Sequence, residues 1–374
     1  MKRAAAIFAC LVFVSGGVRA EQLTNADVIS LVKAGMAQEL IVSKIKSDDN
    51  AFDVKATALV ELRQAGVTDP VIQVMIDEAQ KRQKTRESSI SLQIQSLASD
   101  VPETRQFAYI ALMRAGPLAQ ERMTDALSNF DPKVRAAVIS AFLKMDKKDA
   151  VTLIRVMLED QASVVRLAAA EFLAEYDASV SGRKAQDRIS RWRIDRPGDS
   201  IDADIRLVGL VGRKEALPAI RVIIQESSNE DVRLQGIWAV GEMQDVAARE
   251  VLNRLLMQDR SAKVRLNSAQ VLAGFPGNEG SVDAIKHAID IDETNRPALL
   301  ELAPLFPVKR LAPALITLLA EKMPESHTEA AVAALRRMTH QDFGRDVSKW
   351  LAWWEKNEEH IDKPIQPELD HAEP

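Results

Sequence analysis

The stretch Asp131-Pro132-Lys133-Val134-Arg135, with the apolar run 136–145 behind it, decides the fold because its pattern returns at intervals of roughly thirty residues. In each copy an acidic or polar residue precedes a β-branched residue and an arginine, and an amphipathic run follows. The other copies are Asp160 with Val165-Arg166, Asp204-Ile205-Arg206, Asp231-Val232-Arg233, Lys263-Val264-Arg265 and Asn295-Arg296, with a weaker first copy at Glu103-Thr104-Arg105. A repeat of this length is typical of a stacked solenoid. Solenoids usually present a surface to partners.

Each copy predicts two helices. The first begins at the arginine phrase, as in 134–145, and the second follows a short turn, as in 149–158. Apolar residues spaced by three and four, such as Leu252, Leu255 and Leu256, mark the buried stripe. Small residues in the first helices, such as Gly236, allow neighbouring helices to approach closely.

These phrases resemble HEAT repeats, in particular the bacterial subtype first noted in phycobilisome lyases. The resemblance implies an all-α fold: a right-handed α-solenoid of HEAT-like helical hairpins, of the armadillo type. The capping residues and apolar stripes of residues 21–80 predict a small helical domain before it. It also implies that the second helices line the concave face. No catalytic position of a lyase matches, and fold does not imply function. The repeat after Arg166 departs from the pattern, because the step to Arg206 is long and the intervening residues 179–200 are polar and basic. We expect an atypical helix and a projecting loop in this stretch.

The N-terminus predicts export. Lys2 and Arg3 precede a short apolar run, and small residues lead to a cleavage site after Ala20, as in a bacterial secretory signal peptide. We therefore expect a periplasmic or secreted protein without a transmembrane segment. Cys10, the single cysteine, leaves a lipoprotein as an alternative, although Phe8 fits a lipobox poorly.

Composition and turn signals predict six segments. These are a signal peptide (1–20), a small helical module (21–80), a charged connector or helix extension (81–100), the HEAT-like solenoid (101–340), an aromatic C-terminal cap (341–360) and a disordered tail (361–374). Loss of the leader would move the net charge from −5 to −8, which disfavours general nucleic-acid binding.

Two arginine series are candidate functional residues. The first-helix arginines are interpreted as structural, since each would pair with an acidic residue of the adjoining repeat; they are Arg135, Arg166, Arg206, Arg233 and Arg265. A second series falls at steps of 33 within the second helices: Arg122, Arg155, Arg188, Arg221, Arg254 and then His287. This series predicts either a basic stripe that binds acidic peptides, carboxylate polymers or phosphates, or a solvated face. One residue of register rotates a side chain by about 100° and decides between them.

The C-terminal aromatic residues Phe343, Trp350, Trp353 and Trp354 also allow two interpretations. The tryptophans share one helical face. A structural cap over the last repeat is the preferred interpretation, and an aromatic ligand cage is the alternative.

The search for chemistry points to no enzyme. The sequence has no glycine-rich phosphate loop and no paired histidines at metal spacing. We expect no cofactor and no metal. The preferred function is a non-enzymatic exported scaffold that binds protein or peptide partners in the cell envelope. The alternatives are a solenoid-based lyase or other enzyme, and an assembly or anchoring subunit of an envelope complex.

Overall fold

The computed structural model describes residues 22–193 and 201–361. The predicted signal peptide, with Cys10, and the tail beyond residue 361 lie outside these residues. Within them the chain forms twenty α-helices and no strand, apart from one isolated bridge between Leu23 and Asn50. The chain divides into two compact units between Arg122 and Met123.

The first unit contains five helices and the beginning of a sixth. They are α1 (Asn25–Lys33), α2 (Gln38–Ser47), α3 (Ala56–Gln64), α4 (Asp69–Ser96), α5 (Pro102–Ala115) and α6 (Pro117–Asp125).

Local signals set the ends of the first helices. Thr24 caps α1 by accepting a hydrogen bond from the backbone N–H of Asp27, and the Asp27 carboxylate accepts one from the backbone of Thr24. Gly35 and Gly66 follow α1 and α3 with positive φ angles of 74° and 89°, which glycine adopts readily. Both glycines follow directly on the end of a helix.

The core of this helical module consists of buried aliphatic residues from α1 to α4. It includes Val28, Ile41, Ile45, Leu62, Val71 and Met75. The segment predicted as a connector is mostly the second half of α4, which continues to Ser96. Helix-forming Lys, Arg, Gln and Glu residues fill this half, and Ile90 and Ile94 are buried. The helix-extension alternative therefore describes 81–96, and the boundary between the compact units falls inside α6.

The second unit is a stack of seven helical hairpins. The helices are α7 (Pro132–Lys144), α8 (Val151–Val156), α9 (Ser163–Tyr176), α10 (Ala178–Ser190), α11 (Asp202–Leu210), α12 (Leu217–Glu226), α13 (Glu230–Glu242), α14 (Arg249–Gln258), α15 (Ala262–Gly274), α16 (Val282–Ile291), α17 (Arg296–Leu302), α18 (Val308–Leu318), α19 (Glu325–Thr339) and α20 (Val347–Asn357).

The stack is built from two rows of helices. Each odd-numbered helix from α7 to α19 packs on the next odd-numbered one, and consecutive even-numbered helices pack together from α10 to α20. Each hairpin thus covers the apolar side of its neighbour. This arrangement confirms the predicted all-α solenoid.

The hairpin α9–α10 is the irregular one. Only Asp177 separates its helices, whereas short 3-10 turns join the helices of several other hairpins. The atypical helix expected within 179–200 is α10. The projecting loop expected there falls partly on residues 194–200, outside the described part of the chain.

Candidate functional site

Four first-helix arginines join consecutive hairpins of the second unit by ion pairs. Each guanidinium faces an aspartate at the start of the next hairpin, with nitrogen to oxygen distances between 2.6 and 2.9 Å. The pairs are Arg135 with Asp160, Arg166 with Asp202, Arg233 with Asp259, and Arg265 with Asp292. The Nη1 atom of each arginine also donates to the backbone carbonyl six residues upstream. These arginines are occupied within the stack.

Three of the aspartates also hold the start of their own hairpin. Asp160 and Asp259 accept the backbone N–H groups of Ala162 and Ser261 at 2.8 Å, and Asp292 accepts that of Asn295 at 3.3 Å. Burial raises the pKa of Asp160, but the hydrogen bonds from Arg135 and Ala162 outweigh it and leave that pKa below its usual value. Burial likewise raises the pKa of Asp292, but the hydrogen bonds from Arg265 and Asn295 bring it below its usual value. Asp160 and Asp292 are therefore ionised at neutral pH.

Arg206 departs from this pattern. Its Nη2 donates to Glu171 of the preceding first helix at 2.9 Å, and its guanidinium lies 3.9 Å from the centroid of the Trp238 ring. A cation over an indole face gains electrostatic attraction. Arg206 therefore links three successive first helices, α9, α11 and α13.

The second-helix arginines occupy two registers, although their spacing in sequence is constant. Arg155 and Arg221 are the fifth residues of α8 and α12, whereas Arg254 and His287 are the sixth residues of α14 and α16. In the first unit, Arg122 is the sixth residue of α6. One position corresponds to about 100° around a helix. The equal steps of 33 thus do not place these side chains on one face, which corrects the expectation of a single basic stripe.

Position five is used to hold the next hairpin. Arg155 donates to both carboxylate oxygens of Asp177 at 2.7 and 2.8 Å, and Arg221 donates to both oxygens of Asp245 at 2.8 and 2.9 Å. Asn253 stands at the same position of α14 and donates to the carbonyl of Gly280 at 3.1 Å. All three acceptors lie in the turn of the following hairpin. The hydrogen bonds from Arg155 lower the pKa of Asp177 despite its partial burial.

Position six faces solvent. It is occupied by Val156, Val222, Arg254 and His287, all exposed. The valines are 64% and 55% exposed, so each places an apolar side chain on the surface of its helix. Because α12 packs on α14 and α14 packs on α16, Val222, Arg254 and His287 form a continuous row. We call these three residues the position-six row.

The two remaining members of the predicted basic series, Arg188 and Arg122, pair with carboxylates. Arg188 is near the end of α10; it pairs with the buried Asp204, its Nε donating at 3.0 Å, and with Glu159 at 2.5 Å. Arg122 lies 3.1 Å from Glu87 within the first unit. Both arginines therefore form ion pairs with carboxylates. His287, among the described residues, does not.

The C-terminal aromatic residues form a packed cluster. Trp350 and Trp354 are buried, and the Trp350 indole N–H donates to the carbonyl of Gly344 at 2.9 Å. Phe343 stands edge-on to Trp350 with ring centroids 5.0 Å apart, and Trp353 is partly exposed. The two most buried rings are packed as in a hydrophobic core, which the ligand-cage alternative does not explain.

The second unit has an open pocket of about 370 Å³ at the C-terminal ends of α12 and α14. Arginine, glutamine and serine side chains dominate its wall, above the apolar Val251 and Leu255. The lining residues are Gln225, Ser227, Ser228, Arg233, Val251, Arg254, Leu255, Gln258, Asp259 and Arg260. We call it the arginine pocket. Sequence reasoning singled out Arg254 but not Arg260, whose place is set by the turn after α14.

The first unit has a larger cleft of about 710 Å³ between the 48–52 segment, α4 and Leu118. Most of its charged residues are in ion pairs. Glu78 and Lys81 pair within the lining, whereas Asp48 and Arg82 pair with Lys44 and Asp49 outside it. The residues that line this cleft carry a smaller formal excess of positive charge than those of the arginine pocket.

Residues 120–188 and 203–273 match a family described as HEAT repeats. The chain carries HEAT repeats. The match confirms the predicted repeat family, and it covers the hairpins that hold most of the arginine to aspartate pairs. A comparison with curated proteins gave no match.

Several solved structures are similar to this HEAT-repeat chain. They include the complex of CpcE and CpcF of phycocyanin lyase from Nostoc (18% identity, 67% of this chain and 94% of that chain, TM-score 0.35), human deoxyhypusine hydroxylase in complex with glycerol (17%, 69% and 99%, 0.28) and an engineered protein (16%, 84% and 91%, 0.36). At these identities and TM-scores the similarities assign no substrate and no partner to this chain.

Within residues 22–193 and 201–361, no group of three or more His, Cys, Asp or Glu side chains is arranged to hold a metal ion. None of the helices in the same residues is both long and apolar enough to cross a membrane.

Proposed function

We propose that this HEAT-repeat protein is an exported, non-enzymatic adaptor that binds an extended segment of a partner protein along its second helices. The observation that carries the proposal is the position-six row, together with Val156 on α8. Two valines stand exposed there beside arginines that are already occupied by carboxylates. The two valines offer apolar contact area on a framework held by inter-hairpin bonds.

The occupied arginines support a rigid surface. Because Arg155 and Arg221 each make two hydrogen bonds to the next hairpin, the backbone that carries Val156 and Val222 is fixed relative to its neighbour. A preorganised surface loses less conformational entropy when a partner binds.

The spacing of the helices favours an extended ligand. Packed helices lie about 8–10 Å apart, and an extended chain rises about 3.3 Å per residue. Roughly every third residue of a bound strand would then meet the next second helix. This geometry sums many weak contacts along the stack, as repeat proteins generally do.

The N-terminal sequence supports the proposed site of action. Lys2, Arg3, the apolar run and the small residues before Glu21 support export to the periplasm or beyond. We accordingly place the partner in the cell envelope.

Site-specific photo-crosslinking tests this proposal. A photoreactive amino acid replaces Val222 in the full-length protein, cells are irradiated, and attached chains from the envelope fraction are identified. Gln270, exposed on the first helix α15, is the matched control. We expect a reproducible adduct from position 222, lost when Val156 is changed to Glu, and none from position 270. Equal labelling from both positions, or no adduct from 222, would contradict the proposal.

A further inference from the structure

The arginine pocket lies beside the position-six row and shares Arg254 with it. Three arginines and one aspartate line the pocket, a formal excess of two positive charges. The whole chain carries a net charge of −5. The pocket is therefore a local cationic site on an acidic protein.

One arginine of the pocket is already neutralised. The Arg233 guanidinium is buried and faces Asp259, with Nε 2.9 Å from Oδ2 and Nη2 donating to Oδ1 at 2.9 Å. Its Nη1 donates to the carbonyl of Ser227. Arg233 therefore forms the base of the pocket and has little capacity left for a ligand.

The other two arginines retain their capacity. Arg254 has only Glu250 nearby, at 3.5 Å, and the Glu250 side chain is almost fully exposed, so solvent screens the pair strongly. Arg260 donates to the backbone carbonyl of Ser228, and no carboxylate of residues 22–193 and 201–361 lies within ion-pair distance of it. Both guanidinium groups keep several unused N–H donors.

We propose that the arginine pocket binds a carboxylate side chain of the partner, held between Arg254 and Arg260. The inference rests on the proposed function and names the chemistry of the partner: an extended acidic segment. Carboxylate to guanidinium hydrogen bonds are charge-assisted and directional. Gln225 and Gln258 at the rim supply amide groups for the peptide backbone, and Val251 and Leu255 contact the methylene groups of a glutamate.

The position-six row predicts the spacing within that segment. Val222 and Arg254 stand on adjacent helices, and a bound strand advances one helix for about every three residues. The segment should therefore carry an apolar residue that contacts Val222 and, three residues away, the carboxylate that enters the pocket. The modest charge excess favours a peptide over a polyanion, which would need a longer basic track.

Fluorescence anisotropy with defined peptides tests the proposal. The probes are a labelled dodecapeptide with leucine and glutamate placed three residues apart, and the same peptide with glutamine for every glutamate. They are titrated with the full-length protein, with Arg254→Glu/Arg260→Glu and with Lys263→Glu. Lys263 is an exposed cation at the start of the next hairpin, outside the pocket, so its variant shows the effect of a charge reversal that spares the pocket.

We expect the glutamate peptide to bind at least about ten-fold more tightly than the glutamine peptide, a preference that raised salt weakens. The double variant should lose the preference, and Lys263→Glu should keep it. Equal affinity for the two peptides, or failure of both to bind, overturns the carboxylate site. Displacement of the glutamate peptide by low millimolar inorganic phosphate would show a general anion site instead.

Failure here is distinguishable from failure of the adaptor proposal. The photo-crosslinking at position 222 reports on contact with the exposed valines Val222 and Val156 and not on the two pocket arginines. If position 222 gives an adduct but the protein binds the glutamate and glutamine peptides equally, the adaptor proposal stands. Only the proposed specificity for an acidic segment is then wrong.

Discussion

Arg166 and Asp202 form a buried, two-pronged ion pair that joins α9 to α11 across the irregular part of the stack. Nε and Nη2 donate to the two carboxylate oxygens at 2.8 Å each, and the residues are 6% and 1% exposed. The same carboxylate accepts the Ser163 hydroxyl at 2.5 Å. All charge at this contact is therefore compensated within the stack.

Removing one partner of this pair should destabilise the protein strongly. We expect Arg166→Met to lower the free energy of unfolding by about 3–5 kcal/mol, because Asp202 would remain buried without its counter-charge. Urea unfolding followed by circular dichroism at pH 7 measures the change. The double variant Arg166→Met/Asp202→Leu should recover part of the loss.

The exposed pair between Arg336 and Asp342 is the matched control, with both side chains more than half exposed. Arg336→Met should cost at most about 1 kcal/mol. A loss at Arg166 as small as that at Arg336 would show that the buried pair is not a structural contact.

Gly236 lies at a close approach between α12 and α13. A Cβ atom at this position would lie 2.0 Å from Cγ2 of Ile224, which is itself fully buried. Alanine favours a helix over glycine by about 1 kcal/mol, but the overlap costs about 1–3 kcal/mol. We expect Gly236→Ala to be net destabilising in thermal or urea unfolding.

Gly274 provides the comparison for that substitution. It ends α15, and an added Cβ would meet no atom within 4 Å. Gly274→Ala should leave stability unchanged or raise it slightly. If both substitutions stabilise the protein alike, the close contact at Gly236 does not constrain the packing.

The sequence predicts the repeat and its first helices well, for a physical reason. The phrase ending in Arg135 or Arg265 combines a helix start with a side chain that must reach the next repeat, so both the period and the contact are encoded locally. Gly35 and Gly66 are similar cases, because a helix end needs only the residue at that position. The close approach of helices at Gly236 was likewise predicted, because the small size of the residue is enough to indicate it.

The faces of the second helices are harder to predict from sequence. Arg221 and Arg254 are 33 residues apart, yet one stands at position five and the other at position six, because α14 begins 32 residues after α12. A single residue of turn length decides whether an arginine pairs with the next hairpin or faces solvent. The arginine pocket depends on Arg260 in a turn, which periodicity does not describe.

The C-terminal cap should depend on Trp350 more than on Trp353. Trp350 is fully buried and hydrogen-bonded to Gly344, whereas Trp353 is partly exposed. Changing a buried tryptophan to alanine typically costs about 3–5 kcal/mol. We expect Trp350→Ala to release α19 and α20, seen as faster hydrogen exchange in peptides from 325–361, and Trp353→Ala to do so much less. Similar exchange in the two variants would argue against a capping role for Trp350.

Asp204 should make stability depend on pH in a weakly acidic range. Burial raises its pKa from 3.8 to about 6, against the lowering effect of Arg188 and with a further increase from Glu159 and Asp202. Since the folded state holds the proton more tightly than the unfolded state, the protonated carboxyl favours folding. This contribution is fully present below about pH 4 and is lost as the pH rises to about 6. Its size is about 3 kcal/mol, at 1.36 kcal/mol for each pKa unit.

Asp204→Asn should remove this dependence. The difference in unfolding free energy between the variant and the wild type should shift in favour of the variant as the pH rises from 4.5 to 7, measured by urea unfolding at several pH values. Asp177→Asn is the control, because Arg155 lowers the pKa of Asp177. The contribution of Asp177 is present above about pH 4 and is lost only at lower pH, so its difference from wild type should stay constant over this range. Parallel pH profiles for wild type and Asp204→Asn would mean that Asp204 stays ionised in the folded protein.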